Sequence, residues 1–321
     1  MADALIIGEV SDGAPASATL EGIAAARALG VDQVAVLMPG ADSASAASAA
    51  IAGGADIVYT VADGPAADGE FDALVDAAQA AVTLSGARYV IGAKTLTGRD
   101  VMPRLAFRLG TALASDCSAV SLDDSGRLIA TRPVYGGNAE ASVACLGSVA
   151  VASLRPKSVD ALESDASRSG EVLPLEFEAN VRTRVLERVE EAGEGVRLEN
   201  ARVVVSGGRG LGGPEPFDSL RELANMLGGA VGASRAACDA GWVPSGYQVG
   251  LTGKTVTPDL YIAVGISGAS QHMAGCSNSR TLVAINKDAG ANIFKEARFG
   301  VAGDWQKVLP AFMEQLHELM G

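Results

Sequence analysis

The sequence predicts an α/β protein of two domains, each a mainly parallel sheet flanked by helices. The 321 residues exceed what one hydrophobic core usually serves. Short apolar strands alternate with helical stretches along most of the chain, which is typical of βαβ units. Hydrophobic residues make up 48% of the chain but aromatic residues only 4%, so Ala, Val, Leu and Ile must build the core, as suits α/β layers.

The first half of the chain predicts a parallel sheet with helical crossovers. Apolar runs predict strands at residues 4–9, 33–38, 56–60 and 89–92. Helices are predicted at residues 17–29, 45–51, 71–84 and about 100–109. From residue 115 to 154 the helical period is lost, and turn residues at 123–126, 136–138 and 147 separate consecutive strands. That stretch predicts an antiparallel extension.

A polar stretch from residue 155 to about 200 separates the two predicted domains. Its segment 173–190 alternates enough for one or two strands, and the loop 190–195 is the predicted boundary. We therefore expect domains at residues 1–192 and 193–321. The second domain repeats the α/β pattern, with strands predicted at residues 202–206, 230–233, 260–264 and 282–285 and helices at 217–227 and 304–320. Asp304 stands where the last helix needs an N-cap.

Composition narrows the classes of partner and compartment. The formal net charge of −13 argues against nucleic acid and anionic membrane surfaces, which need a basic footprint. Most of the excess negative charge falls in residues 1–190, so an anionic ligand fits the second half better. The four cysteines are far apart without a CxxC pair, and there are only two histidines, so we expect reduced thiols and no metal site. Without a membrane-length apolar run or room for a signal peptide, a cytoplasmic location in a bacterial cell is expected.

Two strands of the second half run into glycine-rich loops. Residues 258–272, PDLYIAVGISGASQH, form an apolar strand and a small-residue loop that ends in His272. Further upstream, Val203–Val205 open into SGGRGLGG at residues 206–213. Such loops let backbone N–H groups approach an anionic ligand. Two strand-to-loop junctions predict a nucleotide-shaped ligand across a parallel sheet.

The GxGxxG pattern at residues 208–213 matches a dinucleotide fingerprint only in its glycines. Pro214 follows at once, and the next strand ends in Ser234 and Arg235 rather than in an acid, which argues against NAD. Arg209 inside the loop favours an anionic ligand, because a guanidinium pairs bidentately with phosphate. Arg235 has small residues on both sides, so we expect few salt-bridge partners close to it in the sequence.

Five ordered motifs in residues 200–321 resemble the FAD domain of the electron-transfer flavoprotein α subunit. They are SGGRGLGG (206–213), GASRAACD (232–239), QVGLTGK (248–254), PDLYIAVGISGASQH (258–272) and AINKD (284–288). The N-terminal half resembles the same family in its layout and in KTLTGRD at residues 94–100. The resemblance implies a Rossmann-like FAD-binding domain at the C-terminus and an N-terminal α/β domain that packs against a partner subunit.

The resemblance implies a role for three residues around the flavin ring. Arg235 matches an arginine whose charge would raise the reduction potential of the isoalloxazine. His272 matches a histidine that would donate a hydrogen bond to the O2 edge, and Thr252 matches a hydroxyl near N5. The alternatives are a surface arginine, a helix-start histidine satisfied by the backbone and a turn threonine.

The remaining implied contacts extend along the cofactor. The pyrophosphate and ribityl parts would be held by Arg209, Ser234, Ser267, Gly268 and Ser270. Asn286 and Asp304 would lie toward the adenosine, although Asp304 also fits a helix cap. The resemblance also places at the cofactor Gln248, Val249, Gly250, Leu251, Ala269, Gln271 and Trp305. Leu251 departs from the Gln usual in the family, so a side-chain contact there is in doubt.

The implied function is that of an electron carrier without substrate chemistry of its own. The sequence shows no catalytic triad and no paired carboxylates, so the flavin would supply the redox chemistry. The resemblance implies a heterodimer with an electron-transfer flavoprotein β subunit. It also implies electron donors among flavin dehydrogenases such as acyl-CoA dehydrogenases of fatty acid β-oxidation, and a membrane quinone oxidoreductase as acceptor. Two alternatives remain at this point: a sirtuin-like NAD-dependent deacylase and a non-redox adenine-nucleotide-binding regulator.

Overall fold

The computed structural model describes residues 2–135, 139–186, 196–199 and 201–320. The chain divides into two compact units, Met1–Arg188 and Val189–Gly321. The boundary loop predicted at residues 190–195 and the turn predicted at residues 136–138 lie outside the described residues.

The N-terminal unit contains a seven-stranded parallel sheet. Its strands and those of two smaller sheets are β1 (Ala4–Ile7), β2 (Val10–Ser11), β3 (Ala14–Pro15), β4 (Val34–Pro39), β5 (Ile57–Val61), β6 (Tyr89–Ala93), β7 (Leu113–Cys117), β8 (Ala119–Leu122), β9 (Leu128–Val134), β10 (Ala139–Ala144), β11 (Ala150–Leu154) and β12 (Glu171–Pro174). The helices are α1 (Ser17–Ala28), α2 (Ser43–Ala52), α3 (Gly64–Ala67), α4 (Phe71–Ser85) and α5 (Leu96–Arg108). The large sheet has the order β12-β5-β4-β1-β6-β11-β7, and β2 pairs with β3 as a small hairpin.

Both faces of the large sheet are buried, which explains its unbroken apolar strands. In β1, Ala4 and Ile6 enter one core with residues of α1 and α2. Leu5 enters a second core with residues of α4 and α5 on the opposite face. The small aliphatic side chains that the composition predicts fill both layers.

The antiparallel extension exists, but it involves fewer strands than predicted. Strands β8, β9 and β10 form a separate antiparallel sheet in the order β10-β9-β8. Strands β7 and β11, which flank them in the sequence, instead pair in parallel within the large sheet. A run of apolar segments predicts strands but does not specify the direction in which each one pairs.

Helix α5 begins four residues before the predicted start. Thr95 is its N-cap, since the Thr95 hydroxyl accepts a hydrogen bond of 2.9 Å from the Gly98 N–H. The same hydroxyl donates to the Glu9 carboxylate and so ties the helix start to the chain after β1. In the stretch 173–190, the described residues contain the end of only one short strand, β12, which pairs with β5 at the edge of the sheet.

The C-terminal unit contains a second parallel sheet. Its elements are β13 (Val203–Gly207), α6 (Pro216–Met226), β14 (Ala230–Ala233), α7 (Arg235–Asp239), β15 (Leu260–Val264), α8 (Ser270–Cys276), β16 (Thr281–Asn286), α9 (Ile293–Glu296), β17 (Phe299–Ala302) and α10 (Trp305–Met320). The strand order is β14-β13-β15-β16-β17, with every pairing parallel. The chain leaves β13 toward β14 on one side and then crosses to β15 on the other. The strand order therefore reverses next to β13, which in open α/β sheets marks the ligand-binding crevice.

Helices again cover both faces of this sheet. Tyr261 of β15 packs with Met273 and Cys276 of α8 on one face. Ile262 of the same strand packs with Phe217 of α6 and Leu309 of α10 on the other. Across the residues that the structure describes, no helix is long and apolar enough to span a bilayer.

Candidate functional site

The carboxyl edge of the C-terminal sheet collects predicted residues from all five of its strands. Because the strands are parallel, the connections that follow them start at the same edge. These connections, taken in chain order, carry Arg209 after β13, Ser234 and Arg235 after β14, residues 267–272 after β15, Asn286 at the end of β16, and Asp304 and Trp305 after β17. The remaining predicted segment, residues 248–252, is tied to this edge by backbone hydrogen bonds.

The two glycine-rich loops touch each other. The Gly210 N–H donates to the Gly265 carbonyl at 3.0 Å, and a Cβ on Gly208 or Gly210 would overlap that carbonyl. Gly265 itself has φ +65°, a conformation that disfavours side chains. The sequence predicted that these glycines let a ligand approach the backbone. In the structure they also allow the two loops to pack against each other.

Backbone donors are left free where β15 runs into α8. The N–H groups of residues 267–271 donate to no acceptor among the described residues. The loop is held by Gly268, which has φ +78° and lies against the backbone of Ile293, and by the Ser267 carbonyl, which accepts from the Ile293 N–H at 3.1 Å. Consecutive free N–H groups next to exposed Ser267 and Ser270 form a polar surface suited to an anion.

Ser234 and Arg235 begin α7 at the end of β14. The Ser234 N–H donates to the Gly207 carbonyl at 2.9 Å, while its buried hydroxyl has no hydrogen-bond partner. Arg235 is 67% exposed and pairs with Asp239 at 3.2 Å, four residues along the helix. Few salt-bridge partners close in sequence were expected for Arg235, and the described residues provide one, because the short helix brings position i+4 onto the same face. Arg209 is exposed and forms no ion pair with any described residue.

Residues 248–254 form a tight loop that packs against α8. The Val249 N–H donates to the Ala233 carbonyl at 2.9 Å, and the Leu251 N–H donates to the Gln271 carbonyl at 2.7 Å. Gly250 lies against Gly275 of α8, where any side chain would overlap backbone atoms. The loop presents exposed side chains of Leu251 and Thr252, and the Thr252 hydroxyl accepts a hydrogen bond of 2.9 Å from the Gln248 amide.

His272 is buried, with 7% of its surface exposed. Its Nε2 lies 2.9 Å from the Tyr261 hydroxyl, and Nδ1 has no partner at hydrogen-bonding geometry. Burial lowers the pKa of His272 to about 4, and the nearby Val249 carbonyl opposes this effect only in part. The side chain is therefore a neutral imidazole at pH 7. Ala269 precedes α8, and Gln271 is exposed beside His272.

The far end of the edge is formed by the ends of β16 and β17. The Asn286 amide donates to the Ile266 carbonyl at 2.8 Å, which links the β16 end to the β15 loop. The Asp304 carboxylate accepts from the Gln306 N–H at 3.1 Å, so the cap predicted for the last helix is present. Trp305 is half-buried and packs on the core under α10.

Two residues that sequence reasoning did not select belong to this region. Tyr261 is completely buried on β15, and Ser206 is completely buried on the neighbouring β13 with its hydroxyl unpartnered. A hydroxyl-bearing aromatic residue in an otherwise aliphatic strand is the signal that could have found Tyr261. Among the described residues, no cluster of three or more His, Cys, Asp or Glu side chains could hold a metal ion.

A parallel sheet with free N–H groups, arginines and a buried histidine at its switch-point edge defines a nucleotide-cofactor-binding α/β protein. Residues 4–180 match the electron transfer flavoprotein domain, and residues 197–277 match the electron transfer flavoprotein FAD-binding domain. The chain belongs to the electron transfer flavoprotein family, as an α subunit. FAD is its cofactor and electron transfer is its role, and neither the deacylase nor the nucleotide-regulator alternative is favoured.

Individual relatives match over most of their length. The electron transfer flavoprotein subunit alpha of Thermoanaerobacterium thermosaccharolyticum is 45% identical over 83% of this chain and 82% of its own. The same subunit of Bacillus subtilis is 41% identical over 98% of this chain and 97% of its own. The same subunit of Paracoccus denitrificans is 40% identical over 97% of this chain and 99% of its own.

Proposed function

We propose that FAD lies along the carboxyl edge of the C-terminal sheet, with its pyrophosphate on the free N–H groups of residues 267–271. Those five consecutive unpaired donors are the observation that carries the proposal, because phosphate oxygens are the acceptors such a surface fits. Ser267, Gly268, Ala269, Ser270 and Gln271 supply them. Arg209 and the unpartnered Ser234 hydroxyl lie on the adjoining connections and add polar contacts.

The flavin ring is placed near the loop 248–252, Arg235 and His272. FAD supplies the capacity to accept and release electrons, and the protein groups tune it. The exposed guanidinium of Arg235 favours added negative charge, and the neutral imidazole of His272 offers hydrogen bonding without a competing charge. Thr252 offers a hydroxyl from the same loop as Gln248, Val249, Gly250 and Leu251. Exposed Leu251 provides apolar contact where an amide is more usual.

The adenosine end is assigned to Asn286, Asp304 and Trp305. Both hydrogen-bonding groups of Asn286 are used within the protein, since its Oδ1 accepts from the Asp288 N–H at 3.0 Å. Asn286 therefore acts mainly by shaping the loop. The Asp304 carboxylate is exposed beyond its capping bond and can also accept from a ribose hydroxyl.

At the level of the cell, the protein serves as a one-electron and two-electron shuttle that transforms no substrate itself. Flavin dehydrogenases such as acyl-CoA dehydrogenases donate the electrons, and a membrane quinone oxidoreductase accepts them. The location is the bacterial cytoplasm, which agrees with four free cysteines among the described residues.

The partner in a heterodimer is a β subunit that packs on the N-terminal unit and completes the FAD site. Support comes from large apolar side chains exposed on that unit. Phe107 is 84% exposed and Leu96 74% exposed on α5, eleven residues apart and so on one face of the helix. A partner subunit that packs along this face of α5 would cover both side chains.

An FAD titration of the chain alone and mixed with its β subunit tests the proposal. We expect tight, yellow complexes only in the mixture. Arg209→Ala should weaken FAD binding roughly tenfold, as expected for one charge-assisted contact. Arg202→Ala is the matched control, because Arg202 is exposed near the amino end of the same strand, where it pairs with Asp259. Equal FAD affinity with and without the β subunit would refute the dimer, and equal loss in both variants would refute the assigned edge.

A further inference from the structure

The N-terminal unit has a cavity at the carboxyl edge of its own parallel sheet. Its volume is about 280 Å³, close to the roughly 300 Å³ at which small-molecule pockets begin. The cavity lies between the residues that follow β1 and β4, the end of β6 and the first turn of α5. The chain leaves β1 toward β4 on one side and later returns to β6 on the other side of β1. The strand order therefore reverses at the cavity, as it does at ligand-binding crevices of open α/β sheets.

Most of the cavity wall is apolar. Leu37 of β4, Leu74 of α4, and Val101 and Met102 of α5 line it, and each is at most 6% exposed. Such a wall suits the apolar body of an organic ligand better than a hydrated ion.

The charged residues of the lining are acids. Among the described residues that line the cavity, Glu9, Asp12 and Asp42 carry a charge, and none is a lysine, arginine or histidine. This lining disfavours phosphates and carboxylates and favours a cation. The described residues contain no group of three or more His, Cys, Asp or Glu side chains that could hold a metal ion. The cation that fits is therefore an organic one.

The position of Glu9 in the lining is fixed by two threonines. Its N–H donates to the Thr19 hydroxyl at 2.8 Å, and its carbonyl accepts from the same hydroxyl at 3.0 Å. One carboxylate oxygen, Oε1, accepts from the Thr95 hydroxyl. The other oxygen, Oε2, has no hydrogen-bond partner among the described residues, and Glu9 forms no ion pair with any of them.

The negative charge on Glu9 is poorly solvated. Burial raises the pKa of Glu9, and the Thr95 hydroxyl opposes this effect only in part. An ammonium group in the cavity would supply the missing counter-charge and donate to Oε2. The Thr97 hydroxyl also lines the cavity without a partner among the described residues, so it can accept a second ammonium proton.

We propose that this cavity binds a small organic ammonium ion, with the nitrogen at Glu9 Oε2 and the apolar body against Leu37, Val101 and Met102. The FAD contacts proposed above all belong to the C-terminal unit. The inference therefore stands whether or not the placement of FAD is right.

Three ligands that share a phenyl body test the chemistry: phenethylammonium, phenethyl alcohol and hydrocinnamate. Isothermal titration calorimetry of the assembled, FAD-loaded heterodimer gives the affinity for each. We expect the ammonium to bind at least about tenfold more tightly than the alcohol, as a charge-assisted hydrogen bond allows, and the carboxylate not to bind. Equal affinities for the ammonium and the alcohol, or no binding of the ammonium, would overturn the inference.

Glu9→Gln isolates the charge, because glutamine keeps an oxygen that can accept from Thr95. The affinity for phenethylammonium should fall about tenfold, and that for phenethyl alcohol should stay the same. Glu21→Gln is the matched control, since Glu21 is a buried carboxylate of α1 that accepts from the Lys157 N–H at 2.7 Å and does not line the cavity. Equal losses in the two variants would mean that the net charge of the protein attracts the cation, and the site would be refuted.

A cavity-filling variant provides a test that does not alter Glu9. Ala67→Phe adds a large side chain to the half-buried part of the wall formed by α3. It should abolish binding of both phenethyl compounds. Undiminished binding of phenethylammonium would place the ligand elsewhere on the protein and refute the site.

Discussion

At the scale of single residues, Arg235 is held by a contact that a cofactor must compete with. Both partners of its ion pair with Asp239 are exposed, so the pair is weak and would yield to the flavin contact proposed for Arg235. Arg235→Ala should lower both one-electron potentials of the flavin. The free energy of each electron uptake should become less favourable by about 1 kcal/mol, as expected for the loss of a partly screened charge. Spectroelectrochemical titration of the heterodimer measures this.

The neighbouring acid provides the control for Arg235. Asp239→Asn removes the competing carboxylate but leaves the guanidinium, so the potentials should stay the same or rise. If Arg235→Ala leaves both potentials where they are, the residue is the surface arginine of the alternative interpretation.

His272 should make the stability of the C-terminal unit depend on pH. Its pKa is 6.5 when unperturbed and about 4 in the folded protein, so between these values the unfolded state binds a proton that the folded state excludes. Stability is therefore complete above pH 6.5 and falls as the pH falls toward 4. From pH 7.5 to 5 the loss from this residue is about 2 kcal/mol.

Tryptophan fluorescence during urea unfolding measures this effect selectively, because Trp242 and Trp305 both lie in the C-terminal unit. The difference between the native chain and His272→Gln isolates the histidine from the carboxylates that titrate in the same range. His317→Gln, on an exposed helix face, should behave as the native chain does. If the pH slope in His272→Gln equals that of the native chain, other groups cause it and His272 does not contribute.

The positions of the candidate residues along the sheet edge were predictable, but their contacts were not. A strand followed by small residues places Ser234 or Ser267 at a carboxyl edge from local sequence alone. The Arg235–Asp239 pair depends on a five-residue helix, which is too short for the hydrophobic periodicity of the sequence to predict. The Tyr261–His272 contact joins a strand to a helix beyond its own loop, and only packing brings the two polar atoms together. The residue roles themselves stay predictions.

At the scale of elements, the loop between β15 and α8 depends on Gly268. Two separate effects oppose a side chain there: the positive φ of +78° and overlap with the Ile293 backbone. Gly268→Ala should destabilise the C-terminal unit by more than about 2 kcal/mol and displace the free N–H groups, with loss of FAD binding.

Gly228→Ala separates the two effects. Gly228 has a similar φ of +62°, but no atom lies near its would-be Cβ, so about 1 kcal/mol of backbone strain is expected without loss of FAD. Urea unfolding and FAD titration of both variants provide the comparison. If Gly268→Ala and Gly228→Ala destabilise the unit equally, the Ile293 backbone moves at little cost and the loop is not held rigidly by this contact.

Element prediction succeeded where apolar runs were bounded by turn residues. Strands β14 and β15 have the predicted limits, because glycine or proline lies just beyond each run. The start of α5 was missed because Thr95 caps it ahead of the apolar stripe. The direction of β7 and β11 was missed because pairing is decided by partners distant in the sequence. Strand β17 was not predicted, since all four of its residues are exposed and it follows no apolar alternation.

At the scale of the whole molecule, the chain consists of two units that each bury both faces of their own sheet. Among the described residues, the cores on the two sides of the N-terminal sheet contain none from the C-terminal unit, and the cores of the C-terminal sheet contain none from the N-terminal unit. The predicted two-domain division rested on the polar stretch between them and on chain length. All of the proposed FAD contacts fall within residues 209–305, so under the proposal the C-terminal unit supplies this chain's contacts to the cofactor and the N-terminal unit packs against the partner subunit.

This division predicts where FAD stabilises the protein. A ligand that binds only the folded form of one unit stabilises that unit by RT ln(1 + [L]/Kd), about 2.7 kcal/mol at a hundredfold excess over Kd. In the assembled heterodimer, amides of β13, β15 and β16 that exchange through opening of the C-terminal unit should therefore slow about a hundredfold on addition of FAD. Amides of β1, β4 and β6 serve as the internal control, because their core shares no side chain with the binding unit. Hydrogen exchange followed by mass spectrometry resolves the two sets of peptides. Equal slowing in both sets would mean that the two units open together. FAD binding would then stabilise the N-terminal sheet against opening as much as the C-terminal sheet.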